Sequence, residues 1–119
     1  MQVDLDTAIK ELRARGASTK TEGKWTFGDF YIEVDVHEVL ESDVLTPKGP
    51  LTRLRVGDGS REAILVVWGS DSNRRNLELV SRRTPRRIRV ESPVRPDDKY
   101  IEEVNLWAHE RITRIQALP

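Results

Sequence analysis

Gly57-Asp58-Gly59-Ser60 constrains this chain more than any other stretch, because it sits between two runs that can only be strands. Asp-Gly and Gly-Ser steps accept the positive φ angles of a tight two-strand turn at little cost. Before the turn, Thr52, Leu54 and Val56 alternate with Arg53 and Arg55, which gives one apolar face and one cationic face. After it, Arg61-Glu-Ala-Ile-Leu-Val-Val-Trp68 is apolar on both faces and stops at Gly69. A strand apolar on both faces must be covered on both sides, so the hairpin cannot stand alone.

The rest of the chain supplies what surrounds it. Leu5, Ala8, Ile9 and Leu12 fall on one helix face, with Asp4 or Asp6 as the cap and Gly16 as the stop. Three turns are marginal alone, so this helix must dock on a larger body. Residues 17–24 read as a polar loop. From Trp25 the period changes to two. Phe30, Ile32, Val34 and Val36 alternate with Tyr31, Glu33, Asp35 and His37, and Val39 falls one residue out of step, the mark of a bulge. Gly28-Asp29 offers a tight turn between a short Trp25–Phe27 strand and this one. Pro47 to Pro50 is a loop, and 71–80 reads as a short helix or an irregular link. Arg86–Glu91 is a further strand, with Ile88 and Val90 inward. Tyr100–Ile115 is the last, with Val104, Leu106 and Ala108 on one face and Asn105, Trp107 and His109 on the other.

The order is thus helix, three strands, a short helical link and two strands. It matches an all-β, five-stranded closed Greek-key barrel, the OB-fold, with an N-terminal helical extension and a short helix between strands three and four. A flat α+β sheet is the competing arrangement. The division expected is 1–29 for the helix and its connecting segment, packed on the barrel, and 30–119 for the barrel itself.

Composition removes whole classes of function. With no cysteine there is no disulfide framework, thiol nucleophile, zinc knuckle or iron–sulfur cluster. His37 and His109 have no second ligand at a metal-like spacing, so no metal and no cofactor are expected. Gly57-Asp58-Gly59 lacks the lysine and spacing of a phosphate-binding loop, and no nucleophile elbow is present, so the chain is not read as an enzyme. No run approaches the ~20 apolar residues of a membrane span, and residues 1–15 are charged throughout, so a cytoplasmic protein with no membrane partner is expected. Fifteen arginines against five lysines, with few Asn and Gln, lean towards a thermophilic source.

Twenty basic and 20 acidic residues give a formal net charge of +0, but the distribution is uneven. Residues 51–95 carry 11 arginines and 5 acids, and Arg74, Arg75, Arg82, Arg83, Arg86, Arg87 and Arg89 are accompanied only by Glu78. Such a middle suits a polyanion; the alternative is a solvated face neutralised by acids folded back over it.

The stretch Val56-Gly57-Asp58-Gly59-Ser60-Arg61-Glu62-Ala63-Ile64-Leu65-Val66-Val67-Trp68-Gly69 resembles the second-to-third strand hairpin of archaeal single-stranded-DNA-binding proteins, both the crenarchaeal single-OB proteins and the OB domains of replication protein A. In that family a Val-Gly-Asp turn precedes a strand ending in Leu-Trp-Gly. The resemblance extends more weakly from about Tyr31 to Ile115. It implies that Trp68 stacks on bases, with Arg53 and Arg55 on the same exposed face. Between the fourth and fifth strands, where the family carries further stacking aromatics, this sequence offers Tyr100. Trp107 faces outward on the alternation and joins the candidates, as do Arg74, Arg75 and Arg86 for phosphates. Single-stranded DNA binding in replication or repair is the leading expectation, with single-stranded or structured RNA sharing the same barrel. The alternative is a protein–protein OB module, a small subunit of a replication-protein-A-like complex. In that reading the Ile64, Val66 and Trp68 stripe and the N-terminal helix serve assembly; the alternative to Trp68 as a stacking platform is a Trp68 buried under that helix.

Overall fold

The computed structural model describes residues 1–16, 25–47, 49–69 and 86–119. They form one helix, α1 (Leu5–Ala14), and six strands: β1 (Tyr31–Thr46), β2 (Gly49–Gly57), β3 (Glu62–Trp68), β4 (Arg87–Glu91), β5 (Leu106–Ala108) and β6 (Arg114–Leu118). The strands make a single, strongly curled half-barrel sheet in the order β5-β3-β2-β1-β4-β6. β3 and β5 run parallel; the other neighbours are antiparallel.

β1 is long enough to serve two partners. Its first five residues pair with β4, from Tyr31↔Glu91 to Asp35↔Arg87, and the remainder pairs with β2. The handover coincides with a register shift between Val36 and Glu38, the bulge expected from Val36 and Val39, and two more shifts follow before Val44. A bulge bends its strand and increases its twist, which lets one strand serve both sides of a curled sheet. The β2–β3 hairpin closes at Gly57↔Glu62, with Gly59 at φ +90°. Only glycine takes that angle without strain.

Two expectations are corrected here. Among the described residues there are six strands rather than five, because Tyr100–Ile115 is not continuous. Residues 98–103 form turns, β5 is three residues long, and a second turn over 109–112 separates it from β6. Polar side chains make these breaks. Asn105 both donates its backbone N–H to the Ile64 carbonyl (3.0 Å) and accepts the Ile64 N–H on Oδ1 (2.9 Å). Thr113 Oγ1 donates to the Ser92 carbonyl (2.8 Å) and accepts the His109 N–H (3.0 Å). Side-chain bonds of this kind compete with a regular ladder. Second, Phe27 does not turn back along β1. It bridges Val94, which in turn bridges Trp107. The helix expected between the third and fourth strands falls outside the described residues.

The core fills the hollow of the curled sheet. Ile32, Val34, Leu54, Val56, Leu65, Val67, Ile88, Val90, Leu106 and Ile115 are nearly or wholly inaccessible, and α1 closes the cluster with Leu5, Ala8, Ile9 and Leu12. Each fully buried aliphatic side chain contributes about 1.5–3 kcal/mol. Asp4 is the N-cap of α1 and accepts from Thr7 N–H at 2.7 Å. The hairpin turn satisfies two further first-turn donors: Asp58 Oδ2 accepts from Leu5 N–H (2.8 Å) and Ser60 Oγ from Asp6 N–H (3.2 Å). The same Gly-Asp-Gly-Ser turn that joins β2 to β3 therefore anchors the helix.

Candidate functional site

Side chains that miss the core must lie on the outer face of the sheet, and there β1, β2, β3 and β5 set them in three rows. Glu38, Arg55 and Ile64 form the first; Glu41, Arg53, Val66 and Trp107 the second; Val44, Leu51 and Trp68 the third. Arg53, Arg55 and Trp68 thus share one face, as expected. Diagonal neighbours such as Arg53 and Trp68 lie about 7–8 Å apart, within reach of long and aromatic side chains.

The two arginines differ in their surroundings. Arg55 donates to Glu38 Oε2 (3.2 Å) and Glu62 Oε1 (3.2 Å), so two carboxylates neutralise it. Arg53 makes no ion pair among the described residues, and its Nε is buried without a hydrogen-bond partner. Its row-mate on β1, Glu41, forms no ion pair among the described residues either. At the middle of the face, the Arg53 guanidinium has no carboxylate partner among the described residues.

An aromatic chain borders it. Trp68 meets Trp107 edge-on, with ring centroids 6.1 Å apart at 81°. Tyr100 lies 6.1 Å from Trp107 on another side, and Lys99 Nζ stands 5.4 Å from the Tyr100 centroid. Trp25 packs 5.9 Å from Trp107 and 5.0 Å from His109. Trp107 lies on the outer face, as the alternation implies, but it is not open to solvent. It is only 7% exposed, because a second apolar cluster covers it: Val66, Val94 and Val104, flanked by Trp25, Leu51, Ile64, Trp68 and Ile112. The covering layer is tied down by Gly28 N–H to the Pro93 carbonyl (3.0 Å) and Arg95 N–H to the Thr26 carbonyl (2.8 Å). Arg95 itself is buried and bonds Asp98 Oδ1 at 2.8 Å. Trp107 therefore supports Trp68 from behind. Trp68 remains half-buried, and it is covered by this layer rather than by α1.

Of the remaining candidates, Tyr100 joins the group, 37% exposed. Arg86 does not. It precedes β4, across β1 from the tryptophan rows, where its Nη2 donates to the His37 carbonyl (3.4 Å). Arg87 and Arg89 both reach Glu33, at 3.6 Å and 3.0 Å, and Arg89 covers the Tyr31 ring at 4.5 Å. Arg74 and Arg75, with Arg82 and Arg83, lie outside the described residues. Residue spacing did not point to Trp25, Leu51 or Val44 as site neighbours. The pairing of Leu51 opposite Trp68 was implicit in a hairpin centred on Gly57–Ser60, whereas Val44 depends on three register shifts that no sequence pattern displays.

Two titrations are perturbed. Burial pushes the Asp58 carboxyl up, but hydrogen bonds from the Ser60 hydroxyl and the Leu5, Ser60 and Arg61 N–H groups hold it below the usual value of 3.8. Burial lowers His109 below 6.5, with Glu110 opposing and Arg111 assisting. Among the described residues, no three of His, Asp and Glu gather as a metal site, and no helix is long and apolar enough to cross a membrane.

No family model matches this chain, and no curated protein matches it. A solved structure from work on the molecular basis for abrogation of activation of pro-inflammatory cytokines superposes with a TM-score of 0.54 at 12% identity, covering 80% of this chain. The match takes in 44% of that structure's chain. At that identity the likeness is one of fold alone.

Proposed function

We propose that this chain is an OB-type domain that binds single-stranded nucleic acid, DNA first, on the outer face of β2 and β3. The topology supports the fold reading. β1 is shared by β2 and β4, β3 runs parallel to β5, and β5 and β6, the two ends of the sheet order, are consecutive in the chain. Treated as one interrupted strand, β5 and β6 complete a five-stranded Greek-key barrel. The hairpin resemblance to archaeal single-stranded-DNA-binding proteins points the same way.

One observation carries the binding reading: the Arg53 guanidinium, without a carboxylate partner among the described residues, lies diagonal to the partly exposed Trp68 on a sheet face that other aromatics brace from behind. Every base has a π-face, so an indole binds unpaired bases regardless of sequence, at about 1–3 kcal/mol per base. A guanidinium at that distance takes the phosphate on the same nucleotide step, or stacks on the next base. Arg55, already held by Glu38 and Glu62, orders the strand edge and adds little to affinity.

The test is a fluorescence titration with a thymidine oligonucleotide between about 50 mM and 200 mM salt. Binding should quench tryptophan emission, and log affinity should fall linearly with log salt at about −0.7 per phosphate neutralised. Trp68→Ala should weaken binding by about 1–3 kcal/mol while the fold is retained. An unchanged affinity in a folded Trp68→Ala protein rejects the reading.

A further inference from the structure

We propose that the base stacked on Trp68 is read for a methyl group, so that the face selects thymine over uracil and hence DNA over RNA. This inference rests on the nucleic-acid reading above and adds the base that the site prefers. Strand pairing sets Trp68 opposite Leu51 and Leu51 opposite Val44, which makes one continuous row across β3, β2 and β1. Neighbouring strands lie about 4.7–4.9 Å apart, so an aliphatic edge begins next to the indole.

The surroundings fix the side on which a base must overhang. On the β5 side, Trp107 meets Trp68 edge-on at 6.1 Å and is itself buried, so the aromatic layer fills that flank. On the β2 side, Leu51 is partly buried, and beyond it Val44 is 40% exposed. A pyrimidine ring resting on the indole therefore extends its edge over Leu51 towards Val44. Neither side chain offers that edge a hydrogen-bonding group.

An apolar row of this kind selects by what it leaves unpaired. Thymine and uracil differ by the C5 methyl alone, and apolar contact with that methyl distinguishes thymine from the other bases. Burying one methyl-sized group is worth about fourfold in affinity. Bases that turn an amino group to this row, cytosine and adenine among them, leave it without a partner there. Arg53 lies in the adjacent row and serves the phosphate, so the two contacts are separable by mutation.

The test titrates the full chain with oligodeoxythymidine and oligodeoxyuridine of equal length, followed by tryptophan quenching at one salt concentration. Both carry deoxyribose and differ only in the methyl, and a homopolymer presents the same base in every register. The thymidine oligomer should bind about fourfold more tightly. Leu51→Ser should bring that ratio near one, and Val44→Ser should lower it. The readout is a ratio, so a general change in affinity cancels. A thermal melt shows that each variant folds, and Val44→Ser, at an exposed position, decides the matter where Leu51→Ser does not fold. Arg53→Gln should weaken both oligomers and leave the ratio unchanged. Equal binding of both oligomers by the unaltered chain, or a preference that survives in every folded serine variant, overturns this inference and leaves the nucleic-acid reading standing. Binding of neither oligomer overturns that reading and this inference with it.

Discussion

On the inner side of β3, Ala63, Leu65 and Val67 are sealed within the hollow of the sheet and roofed by α1. On the outer side, Val66 is just as inaccessible, yet Ile64 and Trp68 on either side of it are only partly buried. The inner face is dominated by aliphatics that interlock to dryness; the outer face is an aromatic layer laid over β5 that reaches β2 at Leu51 but not at Arg53. Where the layer stops, Trp68 and Arg53 meet solvent. A strand apolar on both faces can thus spend one side on stability and keep part of the other for recognition.

The contrast can be broken from either side. Leu65→Ala should cost about 2–5 kcal/mol in urea unfolding, because it opens a cavity where nothing can move in. Trp68→Ala should cost only about 1–2 kcal/mol of stability, since part of its surface is already wet. Its larger loss, about 1–3 kcal/mol, should appear in oligonucleotide affinity, so the two variants should rank oppositely in the two assays.

Smaller effects sharpen the picture along β2. Arg53→Gln should lower oligonucleotide affinity and reduce the salt slope by about 0.7, one phosphate's worth. Arg55→Gln should leave the slope almost unchanged and alter stability by under about 1 kcal/mol, because its partners Glu38 and Glu62 are themselves exposed. A measured slope change of equal size for both would erase the distinction between them.

The smallest effects are in pH. Asp58 is held below 3.8, so its contribution is complete above that value and is lost as pH falls through the folded pKa. Asp58→Asn should flatten the acid limb of the stability curve. His109 follows the same sign: the fold favours its neutral ring, and that preference is lost as pH falls from 6.5 through the lowered pKa. His109→Asn should remove the mildly acidic part of the curve while leaving the limb from Asp58 in place.

Much of the fold was legible because the relevant signals were local. The helix face from Leu5 to Leu12, the Gly57–Ser60 hairpin and the bend after Val36 each announce themselves within a few residues. The split of the last strand was not legible, because it depends on Asn105 and Thr113 finding Ile64 and Ser92 far along the chain. Trp107 alternates like an outward residue and is outward; only the distant segments 25–28 and 93–104 bury it. The candidate site was legible in its centre and not in its margins. Arg53, Arg55 and Trp68 follow from the hairpin register alone, whereas the neutralisation of Arg55 by Glu38 rests on a pairing displaced by a bulge.

The most direct measurement compares the unaltered chain, Arg53→Gln and Trp68→Ala against one thymidine oligonucleotide at low and at moderate salt. The account predicts salt-sensitive binding with tryptophan quenching, a shallower slope for Arg53→Gln, and loss of most of the quenching for a folded Trp68→Ala. No detectable binding at low salt, or binding and quenching that both variants leave intact, contradicts it.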